Sequence, residues 1–219
     1  MPAETVLLKL GHIMPYVDLA AAVVFATTGA LVASRKEMDF LGFLWLGAIT
    51  GVGGGTVRDL LLGLPVFWII DPTPIALCLI AAGLVHFSAH LIASRYRLLL
   101  WLDAIGMALV TVAGTAKATN AGAGALVAIV MGVITASVGG IIRDLLGHEP
   151  SIILRREIYV TASALGAAIS VAVQPLGVSQ PAAMACGAGL AFAIRSMAIS
   201  FDWALPVYRP RRGTNPEDL

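Results

Sequence analysis

Two short stretches of this chain place ionisable residues where an apolar sequence should have none. Arg58 and Asp59 follow Gly51-Val52-Gly53-Gly54-Gly55-Thr56-Val57, and Arg143 and Asp144 follow Ala136-Ser137-Val138-Gly139-Gly140-Ile141-Ile142. An arginine keeps its charge in any protein setting, and a charge in an apolar medium costs several kcal/mol unless it is paired or wet. The chemistry open to such residues is electrostatic: pairing, shaping a field, or handling a charged solute. Adjacent positions on a helix point about 100° apart, so each arginine is expected to pair with a distant carboxylate rather than with its neighbour. Asp18 and Asp103 are the available acids, and capping a helix N-terminus is their alternative role. The expected arrangement is a clamp that holds the glycine-rich segments and sets a field. Direct ligation of a cation fits poorly, because arginine repels cations.

The glycines admit two readings. Gly53, Gly54, Gly55, Gly139 and Gly140 weaken a helix and permit a break or kink. Freed backbone groups at membrane depth are tolerated only against protein or a wet cavity, so a glycine break predicts a polar path lined by carbonyl oxygens. Thr50, Thr56, Thr135 and Ser137 add hydroxyls nearby. The alternative is close helix packing through small residues at four-residue spacing, which Gly47, Gly51 and Gly55 satisfy, as do Gly132, Ala136 and Gly140. Three consecutive glycines exceed what packing needs, and both roles are compatible.

These residues need elements to carry them, and composition says which. The chain is 58% hydrophobic and 12% charged, against about 25% charged in a soluble domain. It cannot clothe itself with a solvated surface, so a bilayer is its solvent. A net charge of +1 gives no basic face for nucleic acid. Seven stretches reach the length a membrane span requires: Tyr16 to Ser34, Asp39 to Gly63, Pro72 to Ala93, Leu99 to Thr119, Ala121 to Leu146, Glu157 to Gln174, and Pro181 to Ser200. The expected fold is therefore an all-α integral membrane protein of seven transmembrane helices. Basic residues alternate between connections: Arg35 and Lys36 after span one, Arg95 and Arg97 after span three, Arg155 and Arg156 after span five, and Arg209, Arg211 and Arg212 after span seven. The positive-inside rule then puts the N-terminus outside and the C-terminus in the cytoplasm of a plasma (inner) membrane. Residues 1–15 form an extracytoplasmic segment and 201–219 a cytoplasmic tail, disordered from Arg209 on. Span one is retained rather than cleaved as a signal peptide.

The chain also repeats itself. A shift of 85 residues, the separation of Asp18 from Asp103, carries Gly29 onto Gly114, Gly47 onto Gly132, Thr50 onto Thr135 and Gly54-Gly55 onto Gly139-Gly140. It carries Arg58-Asp59-Leu60-Leu61 onto Arg143-Asp144-Leu145-Leu146, and Pro65 onto Pro150, without a gap. The first unit covers 16–93, the second 99–174, and the seventh helix, 181–200, lies outside the repeat. Each unit has three spans, so the second enters from the opposite side. The result is an inverted 3+3 repeat plus one C-terminal helix, a design common in transport proteins.

Against that frame Lys117 stands out, since Val32 occupies its place in the first copy. Its two readings are gating, and snorkelling to the interface near the end of span four. His86 and His90 lie one turn apart but lack a third ligand, so packing is expected and no metal site. His148 and Glu149 are expected at the interface. Cys78 and Cys186 both fall within apolar runs and are expected to be buried thiols. Trp45, Trp68, Trp101 and Trp203 mostly flank span ends, as aromatic belts do. No nucleophile–base pair or metal cluster is present to make an enzyme.

The Gly-Gly-Gly-x-x-Arg-Asp stretch, its echo Gly-Gly-x-x-Arg-Asp and the three-plus-three-plus-one layout resemble prokaryotic members of the trimeric intracellular cation (TRIC) channel family, over essentially Tyr16 to Ser200. The resemblance implies a homotrimer in membrane lipid. In it each protomer carries its own pore for monovalent cations, chiefly potassium with some sodium, lined by kinked spans two and five. These cations are permeant ions, and no cofactor is implied. Matching positions are Gly53, Gly54, Gly55, Arg58 and Asp59, then Gly139, Gly140, Arg143 and Asp144; Val138 stands where a third glycine would. Related bacterial sequences are also labelled glycine transporters. The rival reading is therefore a secondary transporter of a small solute such as glycine, although no extra mid-span carboxylate offers a zwitterion site.

Overall fold

Long apolar runs punctuated by caps and turns generate seven main helices. The computed structural model describes residues 14–92, 94–149 and 158–204. The helices are α1 (Met14–Arg35), α2 (Phe40–Leu61), α3 (Thr73–Ser88), α4 (Arg95–Asn120), α5 (Ala125–Leu146), α6 (Val160–Ala172) and α7 (Gln180–Phe201). Asp39 caps α2, its carboxylate accepting from the Gly42 N–H at 2.7 Å. The Ser94 hydroxyl caps α4 by accepting from the Arg97 N–H at 3.3 Å. Pro74 and Pro181 fall in the first turns of α3 and α7, where no intrahelical N–H is lost.

Six of these helices are long and apolar enough to cross a membrane, and a shorter apolar segment, Val160–Leu176, makes the seventh. The boundaries shift for local reasons. The Ser94 cap starts α4 before Leu99, so Arg95 and Arg97 stand in its first turn rather than in a loop. A turn at Gly122 delays α5 to Ala125. A four-residue helix, Phe67–Ile70, which sequence periodicity did not predict, follows α2. Beside it, hydrogen bonds from the Thr73 hydroxyl and then from its backbone N–H hold the exposed Asp71 carboxyl below the usual range. Arg155, Arg156, Glu157 and the tail from Arg209 lie outside the described residues.

The packing repeats with the sequence. α1 packs on α2 as α4 packs on α5, and α3 lies on α1 and α2 as α6 lies on α4 and α5. The copies meet through α1 against α4 and α2 against α5, while α7 covers α4 and α6. Small residues allow this closeness. A Cβ on Gly29 would fall 2.6 Å from the Leu46 carbonyl oxygen, and one on Gly114 would fall 3.0 Å from that of Met131. A Cβ on Gly47 would meet Ala82, and one on Gly132 would meet Ala167. Each pair is related by the repeat shift, so the same interhelical contact is built twice. Helices in lipid gain stability from such van der Waals contact, because lipid removes the usual hydrophobic drive.

One of the two cysteines corrects the expectation that both thiols are buried. Cys78 is buried, with its thiol against the Ala22 carbonyl at 3.5 Å, but Cys186 is exposed. It lies on the outer side of α7, which packs only through its opposite face. His86 is an aromatic packing residue, its ring centroid 5.2, 4.7 and 5.1 Å from those of Phe40, Phe43 and Phe87. Among the described residues no group of three or more His, Cys, Asp or Glu is placed to hold a metal.

The turns show where the copies diverge. Gly63 has φ 64° and its repeat equivalent His148 has φ 48°; Glu37 has φ 53° and its equivalent Gly122 has φ 88°. The left-handed region costs a non-glycine residue roughly 1 kcal/mol. Glu37→Gly is therefore expected to stabilise the fold by about 1 kcal/mol and Gly122→Glu to destabilise it by a similar amount. Thermal unfolding of the detergent-solubilised protein reads both, and an unchanged melting temperature in the pair would contradict the repeated turn geometry.

Candidate functional site

The site starts from the C-terminal turns of α2 and α5, which carry Arg58-Asp59 and Arg143-Asp144 into the interior. Both arginines are wholly buried. In the first cluster, the Arg58 guanidinium donates to Asp18 Oδ1 at 2.7 Å and Oδ2 at 3.1 Å, and its Nε donates to Asp59 Oδ1 at 2.8 Å. In the second cluster, Arg143 donates through Nη1 to Asp103 Oδ1 at 2.8 Å, and through Nε to Asp144 Oδ1 at 2.8 Å. Arg143 Nη1 also reaches the Thr28 hydroxyl of α1 at 3.0 Å, which ties the first copy to the second cluster. Charge-assisted, forked contacts of this kind are the strong class of hydrogen bond.

Asp18 and Asp103 are thus the partners of Arg58 and Arg143, each within its own copy. Neither caps a helix, since both lie inside α1 and α4. The expectation that neighbours do not pair needs correction. A guanidinium is long enough to fold back along the helix, so each arginine bridges its chain neighbour and the distant acid at once.

Lys117 is 5% exposed and does not snorkel; its ammonium sits 2.8 Å from Asp59 Oδ1. The other oxygen of Asp59 accepts from the Phe67 N–H at 3.0 Å, which anchors the short helix after α2. Lys117 and Asp103 sit near opposite ends of α4, about 20 Å apart by helical rise. The two clusters therefore lie toward opposite ends of the bundle.

Between them the glycines form a waist. A Cβ on Gly54 would collide with the Thr135 carbonyl oxygen, and one on Gly139 would fall 2.8 Å from the Thr50 carbonyl oxygen. These contacts are again related by the repeat, so α2 and α5 cross backbone to backbone. A Cβ on Gly53 would lie 3.1 Å from Ile142 Cδ1, and one on Gly55 would strike the Phe67 ring. At Gly140 there is room, its nearest neighbours being Arg143 Nη2 at 3.7 Å and Asp103 Oδ1 at 3.8 Å. Neither glycine run interrupts its helix: α2 is continuous from Phe40 to Leu61 and α5 from Ala125 to Leu146. The run that looked like a break is here a contact surface. The hydroxyls of Thr50, Thr56, Thr135 and Ser137 donate to the carbonyls of Leu46, Val52, Met131 and Val133 at 2.6, 2.7, 2.6 and 2.6 Å. Such back-bonding satisfies a hydroxyl in apolar surroundings and bends helices slightly. Thr56 also accepts from Trp68 Nε1 at 2.9 Å.

At the second end Glu149 lies 3.3 Å from Arg35 and 3.4 Å from Lys36, joining the α1–α2 connection to the end of α5. One residue of the site escaped the sequence reading. Arg195, in α7, is 1% exposed and stands 5.5 Å over the ring of Tyr159. The Tyr159 hydroxyl in turn donates to the Ala136 carbonyl of α5 at 2.8 Å. The signal was present: Arg195 is the single charged residue between Gln180 and Phe201.

Known proteins resemble this chain over nearly its whole length. The family model described as "Glycine transporter" matches twice, over residues 15–90 and 100–175, once per copy. The inner membrane protein YadS of Escherichia coli is 40% identical over 199 residues, covering 88% of this chain and 95% of that protein. The crystal structure of a TRIC trimeric intracellular cation channel orthologue from Rhodobacter sphaeroides is 50% identical, with a TM-score of 0.85, over 88% of this chain and 100% of that one. A second TRIC cation channel structure is 31% identical, with a TM-score of 0.79, over 91% of this chain and 98% of that one.

Two stability tests follow from the clusters and the waist. Arg58→Met leaves two buried carboxylates facing Lys117 alone and is expected to cost about 3–5 kcal/mol. Glu149→Gln, at a partly exposed contact, is expected to cost less than about 1 kcal/mol; equal losses of melting temperature would refute the ranking. Gly54→Ala forces a methyl against a backbone oxygen and is expected to cost about 1–3 kcal/mol. Gly189→Ala is the control, because no atom lies within 4 Å of a Cβ there.

Proposed function

The chain belongs to the family described as glycine transporter and is a prokaryotic member of the TRIC channel family, and from that premise we propose that it is a channel for monovalent cations. The permeant ions are chiefly potassium with some sodium. It works as a homotrimer in the inner membrane, with a conduit in each protomer. The N-terminus faces outside and the C-terminus the cytoplasm, as the alternation of basic connections indicates.

The observation that carries this reading is the order of the site along the bundle. A charge-paired cluster sits toward each end, and a side-chain-free crossing of α2 and α5 lies between. Paired clusters let ionised groups persist near a hydrated path without presenting a bare positive charge to a cation. The Thr50 and Thr135 carbonyl oxygens are covered by Gly139 and Gly54 at the waist; in this reading a parting of α2 and α5 turns them toward the path, where carbonyl oxygens replace water around an alkali cation. Gly53, Gly54, Gly55, Gly139 and Gly140, with Thr50, Thr135 and Ser137, form this central lining. Arg58, Asp59, Arg143, Asp144, Asp18 and Asp103 set the field at its two ends. Lys117 is the gating element in this reading: its flexible ammonium closes the first cluster on Asp59, and its withdrawal opens that end.

The family description supports a second reading, secondary transport of glycine, because inverted repeats also serve transporters. The two differ in what the purified protein does. In planar bilayers under a potassium chloride gradient, a cation channel gives unitary currents that reverse toward the potassium equilibrium potential. In liposomes from the same preparation it takes up radiolabelled glycine no faster than protein-free vesicles. Saturable, ion-coupled glycine uptake without currents would establish the transporter instead.

A further inference from the structure

Each repeat contributes two carboxylates and one guanidinium to its cluster, and so leaves one negative charge unmatched. In the first copy the unmatched charge is met by Lys117, which belongs to α4 and hence to the second copy. The Lys117 ammonium lies 2.8 Å from Asp59 Oδ1, the same oxygen that accepts from Arg58 Nε, and it feels the charges of Asp18 and Arg58 as well. The second cluster has the same deficit, and the position corresponding to Lys117 in the first copy is Val32, which supplies nothing.

We propose that Arg195 is the second cluster's counterpart of Lys117: it matches the charge of Asp103, Asp144 and Arg143, and sets the field at that end of the path. Arg195 is only 1% exposed and stands over Tyr159, whose hydroxyl is tied to α5 one turn before Gly140. A Cβ on Gly140 would lie 3.7 Å from Arg143 Nη2 and 3.8 Å from Asp103 Oδ1, so the Arg195–Tyr159 pair abuts the second cluster, and the Asp103 carboxylate feels the Arg195 charge together with those of Arg143 and Asp144. Packing alone does not ask for this side chain. α7 seats itself on α6 through small residues, with a Cβ on Gly166 falling 2.7 Å from the Gly187 carbonyl oxygen and from the Ala191 methyl. A long cation in a helix otherwise free of charged residues answers an electrostatic need. On this view the seventh helix, which stands outside the repeat, exists in part to deliver a fourth charge. Both clusters are then neutral, but one is closed by a lysine and the other by an arginine.

The inference rests on the channel reading, and its test separates the two. The full chain is expressed in giant bacterial spheroplasts, which fix its orientation, and currents are recorded in symmetric potassium chloride. Arg195→Gln leaves a net negative charge at the second cluster and gathers cations there. Current entering from that end is expected to rise about twofold at low salt over current in the other direction, and the asymmetry is expected to fade as salt screens it. Lys117→Gln is expected to rectify in the opposite direction. R195K is expected to behave as wild type, and the charge-balanced double variant D103N/R195Q to conduct symmetrically. A folded R195Q trimer with wild-type symmetry, or with the same direction of rectification as K117Q, overturns the inference. A silent wild type refutes the channel reading and leaves a second readout in force. Charge matching predicts that D103N/R195Q unfolds at least about 4 °C above R195Q. If the two variants melt together, or if R195K is as damaged as R195Q, Arg195 supplies shape rather than charge and the proposal falls.

Discussion

A charge inside a bilayer must be answered by another charge close enough to touch it. That constraint fixes where the helices of this protein can stand. Arg58 draws α1 to α2 through Asp18, and Arg143 draws α4 to α5 through Asp103. Lys117 then couples α4 to the end of α2, and the Thr28 contact couples α1 to α5. The buried ion pairs do not make the protein stable relative to an apolar equivalent. They make alternative registers costly, because sliding one helix by a turn would strand several charges at once.

The inverted repeat supplies most of this arrangement twice. The departures from symmetry are then informative. Turn residues swap roles, with glycine taking the left-handed position in one copy and Glu37 or His148 taking it in the other. Such swaps cost little and look like drift between duplicated halves. The second cation of each cluster is different, since it comes from unrelated positions on α4 and α7. Membership of the TRIC channel family accounts for the shared frame; the unequal closure of its two ends belongs to the electrostatics of this chain.

Much of the fold was legible because the relevant signals are local. Span lengths and the repeat both reside in the order of residues. Asp18 and Asp103 were legible as candidate partners of the arginines, since the repeat relates both; that each meets the arginine of its own copy rather than of the other was not, because symmetry allows either. What a linear reading missed depends on side-chain reach and on depth. The fold-back of each guanidinium onto Asp59 or Asp144 requires the length of the arginine side chain, which the angle between adjacent positions ignores. Burial of Lys117 required knowing that an acid from the other copy waits at its level. Exposure of Cys186 required knowing which face of α7 is covered. The glycine runs read as breaks because glycine weakens an isolated helix. In the bundle, the neighbouring helix supplies contact where the missing side chains leave room.

The crossing of α2 and α5 has one further consequence. Gly54 and Gly139 offer no side chain to rotate, and the facing oxygens of Thr50 and Thr135 are fixed in their peptide planes. Most constrictions in proteins adjust by rotamer change, quickly and one residue at a time. Here the gap can widen only if whole helices roll or slide, carrying the anchored guanidinium groups with them. On the proposed channel reading, passage through the centre is geared to the slow, collective modes of the bundle, and its timescale is that of rigid bodies rather than of swinging gates.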